Sequence, residues 1–181
     1  MTSGTLVFSL SAFRKINLIA FNGLWYGIWT LAGLKIEGFW LYLGLSPVLL
    51  YALWHLYYTP LGILERRLVL ITLPLSLFWE GIWQLFGIVN YYETGIPLWI
   101  IAMWVNFSLS LCHSWWPWIR TPLSGILLGL AAGLLPYFAA EKMGCVHINH
   151  REILLLIWAI HGLLLAMLLR ETMNQAKNHA K

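Results

Sequence analysis

The chain has 181 residues, of which 60% are hydrophobic and only 10% charged, with a formal net charge of +4. Soluble domains carry about a quarter charged residues, so a water-soluble globule is excluded, and the apolar and aromatic content excludes disorder. All seven acidic residues are Glu, which disfavours Asp-dependent phosphoryl transfer and EF-hand calcium binding.

Six stretches are long enough to cross about 30 Å of hydrocarbon at about 1.5 Å of rise per residue. They are predicted at 16–34, 39–58, 68–91, 98–118, 122–140 and 153–169, with a short polar tail at 170–181. The alternation of a lipid-facing strand is absent. The expectation is therefore all-α: one domain, a bundle of six transmembrane helices. The first stretch follows Arg14-Lys15 and is longer than a signal-peptide core. No small-x-small site closes it before Lys35, so a retained helix is expected. It carries Asn17, Asn22 and a Gly23/Gly27 pair, and the second stretch carries His55 near its end.

The third stretch is the most unusual. Thr72, Ser76, Glu80, Gln84 and Gly87 recur every three or four residues, which lays a polar stripe along one helical face. Glu80 falls about twelve residues in, roughly 18 Å deep. A bare carboxylate there is costly, so it must be protonated, paired, or facing a polar interior. Asn106 or His161 is the expected neighbour. Both a functional relay and a structural hydrogen-bond hub fit these residues. The fourth stretch has Met103, Asn106, Ser110 and His113 on one face, next to Ser114, and a Cys112 read as a small buried hydrophobe. The fifth carries Gly125, Gly129 and Gly133, a face for close helix packing, and the sixth carries His161. Depth sorts these residues into a central tier (Asn22, Glu80, Asn106, His161) and a cytoplasmic tier (Asn17, His55, His113).

Counting Lys and Arg places both termini in the cytoplasm (N-in/C-in). Arg14, Lys15, Arg66, Arg67, Arg120, Arg170, Lys177 and Lys181 then lie inside, and Lys35, Lys142 and Arg151 outside. Trp40, Trp54, Tyr57, Tyr58, Tyr91, Tyr92, Trp99 and the 115–118 run sit near predicted span ends, as an interfacial belt would. Trp25, Trp79, Trp83, Trp104 and Trp158 lie deeper, for packing or for an aromatic wall around a flat or lipidic ligand.

The chemistry these residues allow is limited. Glu80 with a histidine could shuttle protons or act as general acid and base. His55, His113, His161 and Glu80 are acceptable metal-ligand types but lack a recognised spacing. Cys145, His147 and His150, beside Glu141 and Glu152, are a weak candidate for metal binding in an external loop, matching no zinc pattern. No motif for a bound cofactor appears, and the scattered basic residues call for no nucleic acid. The bilayer is the expected partner, with a lipidic ligand or a membrane protein beside it.

Several strings, in order, look familiar. They are INLIAFNGLWYGIW with Asn17-x3-Phe21-x3-Trp25, PLWIIAMWVNFSLSLCHSWWPWI with His113-Ser114, and LSGILLGLAAGLLPYFAAEKMG with Gly125, Gly129, Gly133 and Tyr137. LFGIVNY closes the third stretch behind Glu80. The chain resembles DUF2878, a family of small multi-pass proteins of the bacterial inner membrane, from about Ile16 to Leu169. The resemblance implies that location and draws attention to Asn17, Trp25, Glu80, His113 and Ser114. It implies no activity. Association of members with lipid-modifying genes is only a hint. The Trp-rich run after Ser114 departs from the less crowded sequence expected there. The favoured expectation is a small carrier or accessory subunit for a lipidic or small substrate. The alternatives are an intramembrane lipid-modifying enzyme using Glu80 and His113, and a purely structural membrane partner.

Overall fold

Prolines, glycines and charged pairs break the chain where the apolar runs end, and six helices result. The computed structural model describes residues 10–93, 95–119 and 121–179, with residues 10 and 177–179 described by their backbone alone. The helices are α1 (Leu10–Gly33), α2 (Gly38–Tyr58), α3 (Ile63–Leu85), α4 (Leu98–Ser110), α5 (Pro122–Lys142) and α6 (Arg151–His179). A π-helical turn, Leu111–Trp115, extends α4, and two short strands, β1 (Val89–Tyr91) and β2 (Val146–Ile148), pair antiparallel. Arg120 and Lys181, and the side chain of Lys177, lie outside the described residues.

Among the described residues, five helical stretches are long and apolar enough to cross a membrane: Gly38–Tyr58, Ile63–Leu85, Leu98–Trp115, Pro122–Lys142 and Arg151–Ala176. The protein is thus an all-α polytopic membrane bundle with five apolar spans. Helix α1 is 24 residues long, with Asn17 and Asn22 interrupting its apolar run.

The expected third stretch, 68–91, divides differently. Its helix starts at Ile63 because the Glu65-Arg66-Arg67 run forms the first turns of α3, with Arg66 Nε donating to the Leu56 carbonyl at 3.1 Å. It ends at Leu85, and Gly87 at φ 63° reverses the chain into β1. Gly144 at φ 71° makes the equivalent turn after α5. The expected polar tail is also helical as far as His179. Tyr91 and Trp99, read as interfacial, are buried, because the strand pair folds them under the bundle end. Trp40, Tyr57, Tyr92 and Trp118 are exposed, as an interfacial belt requires.

Helix α4 is central. It packs against α1, α2 and α3, and 67% of its apolar stretch is buried, against 22% for α2. Helix α5 packs mainly along α6. A Cβ at Gly125 would stand 2.4 Å from Ala166 Cβ, at Gly129 2.7 Å from the Trp158 carbonyl, and at Gly133 2.1 Å from the Trp158 ring. These three glycines do form the close face expected of them. Gly23 and Gly27 do not: a Cβ at either meets nothing within 4 Å. Small-residue spacing permits close approach, but it does not say which helix face has a neighbour.

Gly129→Leu is therefore expected to lower the melting temperature in detergent, through overpacking worth about 1–3 kcal/mol or more. Gly27→Leu should melt like the parent. Equal melting of both variants would contradict this helix pairing.

Candidate functional site

Helix α3 carries two carboxylates, Glu65 in its first turn and Glu80 near its end, and both are wholly buried. The 15 residues between them span roughly 22 Å of helix. Each carboxylate has its own set of partners.

Thr59–Gly62 joins α2 to α3 in a tight turn, so His55 from the last turn of α2 meets Glu65 from the first turn of α3. His55 Nε2 lies 2.9 Å from Glu65 Oε1, and His113 Nε2 lies 2.9 Å from Oε2. The Thr59 hydroxyl also donates to Oε2. His113 arrives from the π-helical turn, where Trp116 N bonds the Leu111 carbonyl. The widened turn lets two consecutive residues face inward: His113 reaches Glu65, and Ser114 Oγ donates to Asn17 Oδ1 at 2.6 Å. Asn17 Nδ2 donates to the Tyr51 hydroxyl at 2.6 Å and the Leu109 carbonyl at 3.2 Å. His55 Nδ1 faces both Tyr51 Oη, at 3.1 Å, and Asn17 Nδ2, at 3.2 Å. Both neighbours can donate, so this network assigns Nδ1 as acceptor and Nε2–H as donor to Glu65. Phe13 closes the site, its ring centroid 5.0 Å from that of His55 and 4.8 Å from that of His113. His113 Nδ1 is buried without a hydrogen-bond partner among the described residues.

Glu80 is held by hydroxyl and indole donors instead. Trp104 Nε1 donates to Oε1 at 2.7 Å, the Tyr137 hydroxyl to Oε1, and the Tyr91 hydroxyl to Oε2. Burial pushes the Tyr91 phenol well above its ordinary value, and the adjacent Glu80 adds to that. This cluster joins α3, β1, α4 and α5.

Several expectations need correction. Glu80 does not meet Asn106, His161 or His113. Asn106 Nδ2 donates to the Phe21 carbonyl at 3.0 Å. Neither nitrogen of His161 has a hydrogen-bond partner among the described residues, and its ring stands edge-on to Trp104 and Trp158. Asn22 is exposed and bonds its own helix at Leu18. Of the polar stripe, Thr72, Ser76 and Glu80 are wholly buried, whereas Gln84 reaches out to the Gly95 carbonyl at 2.6 Å. Depth fixes a residue's level in the bundle but not the direction it faces. The level of Asn17, His55 and His113 does correspond to a real cluster.

Glu65, Thr59, Tyr51 and Tyr91 had not been singled out for the site. Glu65 sits beside two arginines and reads as part of a membrane boundary. Its position ten residues after His55, across a proline-glycine turn, was the available signal.

The loop candidates do not converge. Cys145 is buried and burial pushes its thiol up, while His147 is exposed and 3.8 Å from Glu141. Among the described residues, the one group of three or more His, Cys or acidic side chains within ligand reach is His55, Glu65 and His113, whose donor atoms lie within 4.8 Å of one another.

Because α5 leans on α6, an apolar cleft enclosing about 50 Å³ and open to the outside lies between it and α4. Trp25, Met103, Phe107, Trp115, Gly129 and Leu165 line it. Trp104 and Tyr137 also stand in its wall but point their polar atoms at Glu80. The π-helical turn serves both places, with His113 in the buried cluster and Trp115 in the cleft wall.

Residues 15–169 match the family described as "Protein of unknown function (DUF2878)". The chain belongs to this family. No curated protein and no solved structure matches it. With five apolar spans, this DUF2878 protein is a multi-pass protein of the bacterial inner membrane. Both carboxylate clusters lie within the matched region. Of the residues that the resemblance brought forward, Asn17, His113 and Ser114 meet at the Glu65 end, Trp25 lines the cleft, and Glu80 anchors the other end.

Glu80→Leu would strand three buried donors, each costing about 1–3 kcal/mol. A large drop in melting temperature is expected, whereas E80Q, which keeps an acceptor oxygen, should lose much less. Parent-like melting of Glu80→Leu would contradict the hub.

Proposed function

We propose that this protein is an intramembrane enzyme acting on a bilayer lipid, with His55, Glu65 and His113 as its reactive centre. The observation that carries the reading is a fully buried carboxylate held at 2.9 Å by two imidazoles from separate parts of the chain. Ionisable groups inside a membrane are expensive, and Glu65, unlike Glu80 with its phenol and indole donors, is held by two imidazoles. Histidine is the commonest general acid and base, and His113 Nδ1 has no hydrogen-bond partner among the described residues. An apolar cleft whose wall includes the turn carrying His113 suits an acyl chain better than a polar solute.

The cleft by itself would also serve a carrier or accessory subunit, which is the second reading. Simple holding of an apolar ligand in the cleft does not need three ligand-type side chains gathered outside its lining, and for that reason the enzyme is preferred.

We further infer that α1 crosses the bilayer too, giving six spans with both termini cytoplasmic. The end of the bundle bearing Arg14, Lys15, Arg66, Arg67 and Arg170 is then inside, with the Glu65 cluster near it. Contact of Lys35 with the Tyr92 ring, 5.6 Å to its centroid, supports a shared outer end for the first turn and the strand pair. Fusions of a periplasm-active reporter after residues 36, 94 and 147 should be active, and those after 63 and 178 silent. Activity at 178 would contradict the even span count.

The enzyme reading is tested by lipid profiles of a deletion strain carrying the parent, E65Q, H113Q or the exposed-site control H147A at matched expression. Parent and H147A should restore the lipid species that the deletion alters. E65Q and H113Q should restore roughly a hundredfold less. Full restoration by both would overturn the reading. An unchanged lipid composition, with a lipid co-purifying with the protein, would favour the carrier.

A further inference from the structure

We propose that His55, Glu65 and His113 bind a divalent first-row transition metal, zinc or ferrous iron. The inference builds on the reading of this cluster as the reactive centre and names the ion it takes.

Two imidazole nitrogens and one carboxylate are the donor set of open zinc sites and of non-haem ferrous sites. The three donors converge from α2, α3 and the π-helical turn, within 4.8 Å of one another and buried. In a tetrahedral site with bonds of about 2.0–2.1 Å, donor atoms stand about 3.3 Å apart. Each Nε2 is already 2.9 Å from a Glu65 oxygen, so those two contacts need open only by a few tenths of an ångström, while the set as a whole, within 4.8 Å, must close on the ion by up to about 1.5 Å. Three protein donors would leave a fourth position for water or substrate, as in open zinc sites.

The surrounding groups fit the change of proton position that binding requires. To coordinate, each histidine gives up its Nε2 proton and carries one on Nδ1 instead. For His55, the Tyr51 hydroxyl at 3.1 Å can turn to accept that N–H, while the Asn17 amide, 3.2 Å from Nδ1, keeps its two protons on Tyr51 and the Leu109 carbonyl. For His113, Nδ1 has no partner among the described residues and is open to a proton. Charge points the same way. No Lys or Arg among the described residues forms an ion pair with Glu65, so no side-chain cation competes with a metal for its carboxylate.

The test needs no knowledge of the substrate. Parent protein, E65Q and the exposed-site control H147A are purified in detergent, checked for matching size-exclusion profiles, and analysed for metals by mass spectrometry. Each is then stripped with a chelator and melted with and without Zn²⁺ or, anaerobically, Fe²⁺. The parent and H147A should hold about one equivalent of one metal. Their stripped forms should gain about 5 °C or more on its return. E65Q should elute as the parent does, hold less than about a tenth of an equivalent, and gain nothing. If E65Q fails to fold, H113Q takes its place with the same expectation. A folded parent without metal and without a melting response to either ion overturns the proposal. So does an E65Q protein that binds and responds like the parent. Metal bound with no effect of E65Q on the lipid profile would instead retain the site and reject the lipid enzyme. A lipid effect without metal would do the reverse.

Discussion

A carboxylate withdrawn from water into an apolar bundle must find hydrogen-bond donors or a cation, and α3 contains two such carboxylates. An unpaired charge in this setting costs several kcal/mol even after relaxation, more than any single apolar contact returns. The partners of Glu65 and Glu80 therefore decide where the other elements sit. Glu65 draws in α2 and the π-helical turn, and through His55 and Asn17 it also involves α1. Glu80 draws in β1, α4 and α5. Apolar packing fills the space between these two anchor points but does not choose among helix rotations, because lipid solvates an apolar face as well as protein does.

The two anchors differ in what they can do. Glu80 is surrounded by phenols and an indole, donors whose protons stay in place near neutral pH; burial raises the Tyr91 phenol further. Such a cluster joins helices. Glu65 is surrounded by imidazoles, which bind metals as neutral ligands. The π-helical turn is placed at this end, where it turns both His113 and Ser114 inward and leaves Trp115 facing the cleft. Single π-turns within helices recur at functional sites because they re-aim side chains. Chemistry at the Glu65 end and structural cohesion at the Glu80 end follow from that difference in partners.

Much of the architecture was legible in the amino-acid sequence because uninterrupted apolar length is nearly sufficient to define a membrane helix. The glycine face of α5 was legible too, since Gly125, Gly129 and Gly133 admit backbone contact with Gly162 and Trp158. Asn17, His55 and His113, put at one level by the constant rise per residue, meet through Glu65 and one another in one cluster. Helix rotation was not legible. Asn22 and Asn106 share a level with Glu80, yet one faces outward and the other bonds α1. Glu65 was missed because two neighbouring arginines made it look like a solvated boundary, although the helix buries it one turn in. Tyr91 was missed because a three-residue strand interrupts what reads as a continuous apolar run.

The central claim is that Glu65 and His113 share one buried interaction across 48 residues of sequence. A double-mutant cycle measures it most directly, with E65Q, H113Q and the double variant unfolded under identical detergent conditions. The account predicts a coupling of about 1 kcal/mol or more, with the double variant less destabilised than the sum of the two single changes. Additive effects within about 0.3–0.5 kcal/mol would mean that the two side chains act independently, and would contradict it.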